Sequence, residues 1–184
     1  MIVMQNSDKH LNGKLTSHTQ LITGASGGMI GAAYYRELVL RKYKGEITSI
    51  ADEKYRKNIS DDLLNRLSFM ASTNDIFIRY QKYQYNKHAY TKDRGFAFEQ
   101  QLHDNTNNVL KHNLGYYTKY EKSGIIPTMI FSPTIVNDGR RLLISSQRMN
   151  FLTDNYGKPS IMTKSNENLE YHSLLSNQST NDIR

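Results

Sequence analysis

The 184-residue chain has no cysteine and no tryptophan, and only three prolines. Without thiols it has no disulfide framework, no thiolate zinc site, no cysteine nucleophile and no iron–sulfur cluster. No apolar run reaches the ~18 residues of a membrane span. The start Met1-Ile2-Val3-Met4-Gln5-Asn6 lacks the charged and apolar regions of a signal peptide. Cytoplasmic placement, or peripheral contact with a membrane, is therefore expected. Hydrophobic residues are also scarce, at 38% with tyrosine counted, and the mean hydropathy is −0.66. Average soluble domains reach ~45–50% on a set that counts glycine in place of tyrosine. The core is expected to be small for the length. What the chain does carry is a basic balance, 24 Lys and Arg against 17 Asp and Glu for a net +7, and 13 tyrosines.

Segment 1–19 is polar and turn-rich and is expected to bury little. Gln20-Leu21-Ile22-Thr23 then reads as a short strand running into Gly24. From 28 to 43, Met29, Ala32, Ala33, Leu38 and Leu40 recur at helical spacing and predict a long helix. A second helical stretch is expected over 49–71, with Ser60 as a cap, Asp61 and Asp62 at its positive end, and Leu63, Leu64, Leu67 and Met70 on one face. Another is predicted over 94–112, with Phe98, Leu102, Val109 and Leu110 inward. The run 125–136 reads as strand, demoted at Pro127 and Pro133. Asn137-Asp138-Gly139 has hairpin chemistry and leads into Leu142-Leu143-Ile144. A short helix is predicted at 168–175. The domain organisation expected is a polar segment 1–19, one α/β domain over 20–175 with few strands, and a polar tail 176–184.

The residues with most chemical content are Gly24-Ala25-Ser26-Gly27-Gly28. A G-x-S-x-G between strand and helix is the nucleophile-elbow pattern, in which a strained turn lifts the serine hydroxyl out of the sheet. Glycine is expected at Gly24 and Gly28 because side chains there would collide across the turn. The Gly27 amide, one residue after Ser26, would face a developing oxyanion at a helix N-terminus. The same residues allow a rival reading, the phosphate turn of an NAD(P)-binding short-chain dehydrogenase, T-G-x-x-x-G-x-G. Its last glycine should fall at Ile30. The Tyr83 and Lys87 pair at Tyr-x-x-x-Lys spacing also comes too early for that family.

The stretch Ile22-Thr23-Gly24-Ala25-Ser26-Gly27-Gly28-Met29-Ile30-Gly31-Ala32 resembles the nucleophile turn of patatin-like phospholipases of the large bacterial type. Arg94-Gly95-Phe96-Ala97-Phe98-Glu99, Ile126-Pro127-Thr128-Met129-Ile130 and the run from Asn137 through Asp138-Gly139 to Ser145 extend the resemblance. It implies a three-layer α/β/α domain and hydrolysis of a lipid acyl ester through Ser26, with no metal and no cofactor. It further implies a Ser–Asp dyad and a glycine-rich oxyanion loop ahead of the elbow. Only 23 residues precede Gly24, with Gly13 their single glycine, and no D-G-G or D-G-A occurs. A partial patatin-like domain is the expectation. Asp138, in a D-G-R turn, is read first as a hairpin residue and only second as a base.

None of His10, His18, His88, His103, His112 or His172 falls in a metal-ligand pattern. Segment 79–92 interleaves cations with tyrosine, which suits an anionic lipid surface or single-stranded nucleic acid. The blander reading is a solvated helix or loop whose tyrosines cover a core edge. Two further functions therefore stand beside the hydrolase: an inactive remnant, or an interaction module using that stretch. A lipid or acyl-ester substrate and peripheral contact with anionic membrane are the expected partners, and nucleic acid is not.

Overall fold

In a computed structural model of the chain, residues 1–73, 81–85, 88–153 and 168–174 are described. They form a mixture of helices and short strands, an α/β composition as expected. The chain divides into two compact units, Met1–Ala51 with His112–Arg184, and Asp52–Lys111. The expected single domain over 20–175 thus contains a separate unit within it.

In the first unit the expected strand is present as β1 (Leu21–Gly24), and it pairs in parallel with β4 (Thr128–Phe131). Leu21 stands opposite Thr128 and Gly24 opposite Phe131. Only four residues of the 125–136 run form the strand, and Thr134 adds an isolated antiparallel bridge to Arg141. Pro127 and Pro133 flank the strand and cannot donate to a ladder. Beyond β4 the chain turns through 135–140, closed by Ile135 N–H to Arg140 O (2.8 Å) and Gly139 N–H to Ile135 O (2.9 Å). Gly139 has φ 76°, the left-handed conformation the Asp-Gly pair anticipates. The chain returns as β5 (Arg141–Leu143), bridged to β4 at Phe131–Ile144 and paired in parallel with β6 (Asn168–Glu170). Residues 168–175, expected as helix, are therefore strand up to Glu170, followed by the short α8 (Tyr171–Leu174). Glu170 is buried and accepts hydrogen bonds from Met149 N–H and Ser173 Oγ. These long-range contacts override local helical preference. Tail 176–184 lies outside the described residues.

The long helix predicted after the strand is α3 (Ser26–Tyr43). Its first half packs on the strand pair through Met29, Ala32 and Met129, with Met4, Ile22, Ala33 and Phe131 around them. A second cluster, Ile130, Leu143 and Met149, also draws on β4. From Tyr34 to Leu40 every residue of α3 is buried, including Arg36 and Glu37. Segment 1–19 is not turn-rich. It forms α1 (Ile2–His10) and α2 (Lys14–His18) and buries Gln5 and Asp8. Gln5 donates to Ile50 O, and Asp8 accepts from Thr16 N–H at 2.7 Å, so polar side chains hold this segment where apolar ones are few.

The buried polar set of α3 continues into a 3-10 turn at Leu114–Tyr117 and α7 (Thr118–Lys122). Arg36 pairs with the buried Glu121, whose other oxygen accepts from Ser146 Oγ, and its guanidinium lies 4.1 Å from the Tyr117 ring centroid. Burial first, and the negative charge of Glu37 second, push the Tyr117 phenol far above the usual tyrosine value. A raised folded-state value means the native protein keeps a proton that the unfolded chain loses. Stability is therefore expected to fall as pH rises past the ordinary value of about 10. Denaturation midpoints between neutral pH and pH above 10 test this, and Tyr117→Phe should flatten the decline.

In the second unit the predicted 49–71 helix is two helices, α4 (Glu53–Ser60) and α5 (Asn65–Thr73). Ser60 ends the first rather than capping a start. The break comes at Asp62, whose carboxylate accepts from Leu64 N–H (2.7 Å) and Asn65 N–H (3.3 Å) and opens α5. The segment after residue 80 is neither helix nor loop. β2 (Lys82–Tyr85) and β3 (His88–Thr91) form an antiparallel pair. Tyr83 faces Tyr90 across it at 5.8 Å and Phe96 at 4.6 Å, so Tyr83 is a core-edge residue, as in the blander reading of this stretch. Residues 74–80, 86 and 87 of the basic stretch and its flank lie outside the described residues. α6 (Arg94–Asn105) is capped by Asp93, which accepts from Phe96 N–H. It ends seven residues before the predicted boundary because Asn107 and Asn108 take φ 51° and 56°, a left-handed exit that asparagine tolerates.

Candidate active site

The C-terminal end of β1 hands the chain directly to α3 within two residues. Ala25 is extended at φ −141°, and Ser26 follows at φ 60°. A left-handed serine costs roughly 1–2 kcal/mol relative to the right-handed basin, and glycine would adopt it freely. The next residues are helical, so the amides of Gly27 and Gly28 belong to the first turn, where no intrahelical acceptor exists. Ser26, Gly27 and Gly28 are exposed. The arrangement is a strained serine on a sharp strand-to-helix turn, its following amide at a helix N-terminus. Such geometry can hold an alkoxide nucleophile beside a donor for an oxyanion.

Two features behind the turn set its position. Ser132 N–H donates to Gly24 O at 3.0 Å, extending the β1–β4 ladder past the last paired residue. A Cβ on Gly24 would lie 3.2 Å from Met29 Sδ and 3.3 Å from its Cγ, so a side chain there would press on the core. At Gly28 the steric expectation fails, since a Cβ would meet nothing within 4 Å. Glycine at that position is not required by crowding. Ser132 gives no signal in the sequence because its role is a backbone bond across the sheet.

Strain of this kind has a measurable counterpart. Ser26→Gly is expected to raise stability by about 1 kcal/mol by relieving the left-handed φ, while removing the hydroxyl. Urea denaturation checks it. An unchanged or lowered stability would mean that the serine conformation costs nothing.

Asp138, the fallback base, sits in the turn between β4 and β5. Its carboxylate accepts from Arg140 N–H at 3.0 Å and Arg140 Nε–H at 2.7 Å and pairs with Nη2 at 2.5 Å. Hydrogen bonding to Arg140 holds its pKa below the usual carboxylate value, the reverse of what a proton acceptor at neutral pH needs. The hairpin reading describes it. Three of the histidines are engaged elsewhere: His18 bonds Lys14 O, His112 stacks on Tyr116, and His172 bonds Ser145 O. Among the described residues no side chain hydrogen-bonds the Ser26 hydroxyl. None of their His, Asp and Glu side chains form a group of three able to hold a metal. Of the dehydrogenase pair, Tyr83 lies in β2, where its ring packs with Tyr90 and Phe96, and Lys87 is outside the described residues. Among the described residues no helix is long and apolar enough to cross a membrane.

No protein-family model, curated protein or solved structure matches this chain.

Proposed function

We propose that the protein is a serine acyl hydrolase of patatin-like type, acting on a lipid acyl ester through Ser26. The single observation that supports the reading is the left-handed φ of Ser26 at the junction of β1 and α3. Strained non-glycine residues persist where the surrounding structure over-determines them, and they concentrate at functional sites. In this reading Ser26 Oγ attacks the ester carbonyl and the Gly27 amide donates to the oxyanion. The tetrahedral intermediate then expels the alcohol, which takes up the proton given by the serine hydroxyl, and leaves an acyl-serine that water cleaves to the free acid. The partial patatin-like three-layer domain belongs to the same proposal. No cofactor or metal enters the reaction, and the substrate sits at a lipid surface.

The absence of a hydrogen-bonded base at Ser26 among the described residues favours one second reading, a remnant that acylates but turns over slowly. Losing a partner of the nucleophile costs orders of magnitude in rate. Fatty-acid release from phospholipid mixed micelles separates the two. The hydrolase reading predicts release that is lost in Ser26→Ala. Release that survives the substitution contradicts both, and covalent modification of Ser26 without release identifies the remnant.

A further inference from the structure

The far end of α3 carries a cluster that the hydrolase reading does not use. Lys44, just past the helix, donates to Tyr116 Oη, and its Nζ lies 4.9 Å from the Tyr116 ring centroid and 5.4 Å from that of Tyr120. Lys119 approaches Tyr120 from its own helix, with Nζ 4.7 Å from the centroid. His112 is stacked on Tyr116 at 3.8 Å with the planes 11° apart, and Tyr116 and Tyr120 are 5.7 Å apart. Two ammonium groups thus lie within 5.4 Å of one phenol ring centroid, at the end of a row of three rings. The two segments, 42–46 and 112–122, are far apart in sequence, so no local pattern announces this surface.

From this arrangement we propose that Lys44, His112, Tyr116, Lys119 and Tyr120 form a binding surface for single-stranded nucleic acid. The rings of His112, Tyr116 and Tyr120 are half-buried. The ring surface left open accepts unstacked bases of any identity, and ammonium groups beside it neutralise the adjoining phosphates. The charge balance fits a polyanion. Glu46 at 3.7 Å is the carboxylate paired with Lys44, and among the described residues none lies within ion-pair distance of Lys119. Desolvation pulls the Tyr120 phenol up. Hydrogen bonding to Lys119 and Tyr116 and the charges of Lys44 and Lys119 outweigh it and bring the pKa below the usual tyrosine value.

A duplex keeps its base faces stacked and offers nothing to such rings. Lysine beside tyrosine also suits an anionic lipid surface, but no aliphatic side chain belongs to this cluster to enter the acyl layer, which favours a nucleic-acid strand over a bilayer. The site is also separate from the elbow. Ser26 and Tyr43 are the two ends of an 18-residue helix, which at 1.5 Å per residue is about 27 Å long. A strand bound at Lys44 is therefore not the substrate of Ser26, and the proposal stands independently of the acyl-hydrolase reading.

Fluorescence anisotropy with labelled oligothymidylate, using the full chain across a salt series, tests it. The expected result is binding that weakens with salt with a log–log slope of about −1.4 for two phosphates neutralised. Tyr120→Ala should weaken it about tenfold, Tyr120→Phe should leave it within about twofold, and Lys44→Glu with Lys119→Glu should abolish it. Tyr83→Ala, in the hairpin of the other unit, should change nothing. Circular dichroism of each variant confirms folding. No binding, equal affinity in Tyr120→Ala, or equal affinity for the duplex or for phosphatidylglycerol vesicles would overturn the proposal.

Discussion

Glu121→Ala is expected to destabilise the protein by about 3–5 kcal/mol, the range for a buried ion pair that loses one partner. The side chains of Arg36 and Glu121 are 3% and 0% exposed, so neither charge is hydrated. Glu121 also accepts from Ser146 Oγ and, at 3.4 Å, from Gln147 Nε2; its removal strands the buried Arg36 and Ser146 donors, while Gln147 Nε2 keeps Thr128 Oγ1 as an acceptor. Glu37 Oε1 accepts from Arg41 Nε at 3.2 Å, and its Oε2 is buried without a hydrogen-bond partner among the described residues, so Glu37 sets how far the loss is offset. Among the described residues Arg36 Nε has no hydrogen-bond partner even in the intact network. Burial lowers the pKa of Arg36, the charge of Glu121 raises it again, and the guanidinium remains cationic throughout. Urea denaturation gives the loss directly. Replacing both members, as in Arg36→Met with Glu121→Leu, should recover most of it, since the burial of charge disappears with the charge. A loss below about 1 kcal/mol in Glu121→Ala would show that the pair is hydrated in solution.

Met129→Ala carries the second large effect, about 2–5 kcal/mol, from the apolar side chain removed from the core and the cavity it leaves. Met129 is fully buried, stands opposite Ile22 in the β1–β4 ladder, and packs on Met29 and Ala32 directly behind the elbow. Its replacement should reach the site, because Met29 is the residue that backs Gly24. Modification of Ser26 by a fluorophosphonate is expected to slow in Met129→Ala under conditions where the variant is folded. Met149→Ala, in the neighbouring cluster with Ile130 and Leu143, serves as the control. It should lose stability through the same cavity mechanism with little change in that rate. Equal slowing in both variants would mean that the elbow responds to global loosening and not to Met129.

The parts of the fold legible in the sequence are those made by neighbours along the chain. Leu21-Ile22-Thr23-Gly24 followed by small and apolar residues predicts the strand, the turn and α3, because each depends on a few adjacent residues. The Asp138 turn follows from Asp-Gly in the same way. Elements governed by distant partners are not legible. Asn168–Glu170 becomes strand through pairing with Arg141–Leu143. The break at Asp62 is local, yet Ser60 is an equally plausible cap, and only the hydrogen bonds decide between them. Arg36 and Glu37 count as polar in any periodicity, so the complete burial of mid-α3 and its link to Glu121 are invisible there. At the candidate site the same division holds. The nucleophile turn is a local motif, whereas a base is a matter of which distant side chain arrives within about 3 Å, and no spacing encodes that. The Lys44–Tyr120 cluster is hidden for the same reason, while the contiguous basic stretch draws attention to a hairpin whose Tyr83 is a packing residue.

The central claim is that Ser26 is a nucleophile held by a strained turn, and its most direct measurement is intact-mass analysis after exposure to a fluorophosphonate. This reading requires a positioned serine and a nearby oxyanion donor but not a completed turnover cycle. The account predicts one adduct per chain, located on the peptide containing Ser26, and no adduct at all in Ser26→Ala. An unmodified wild-type protein, or an adduct that persists in Ser26→Ala, would contradict it.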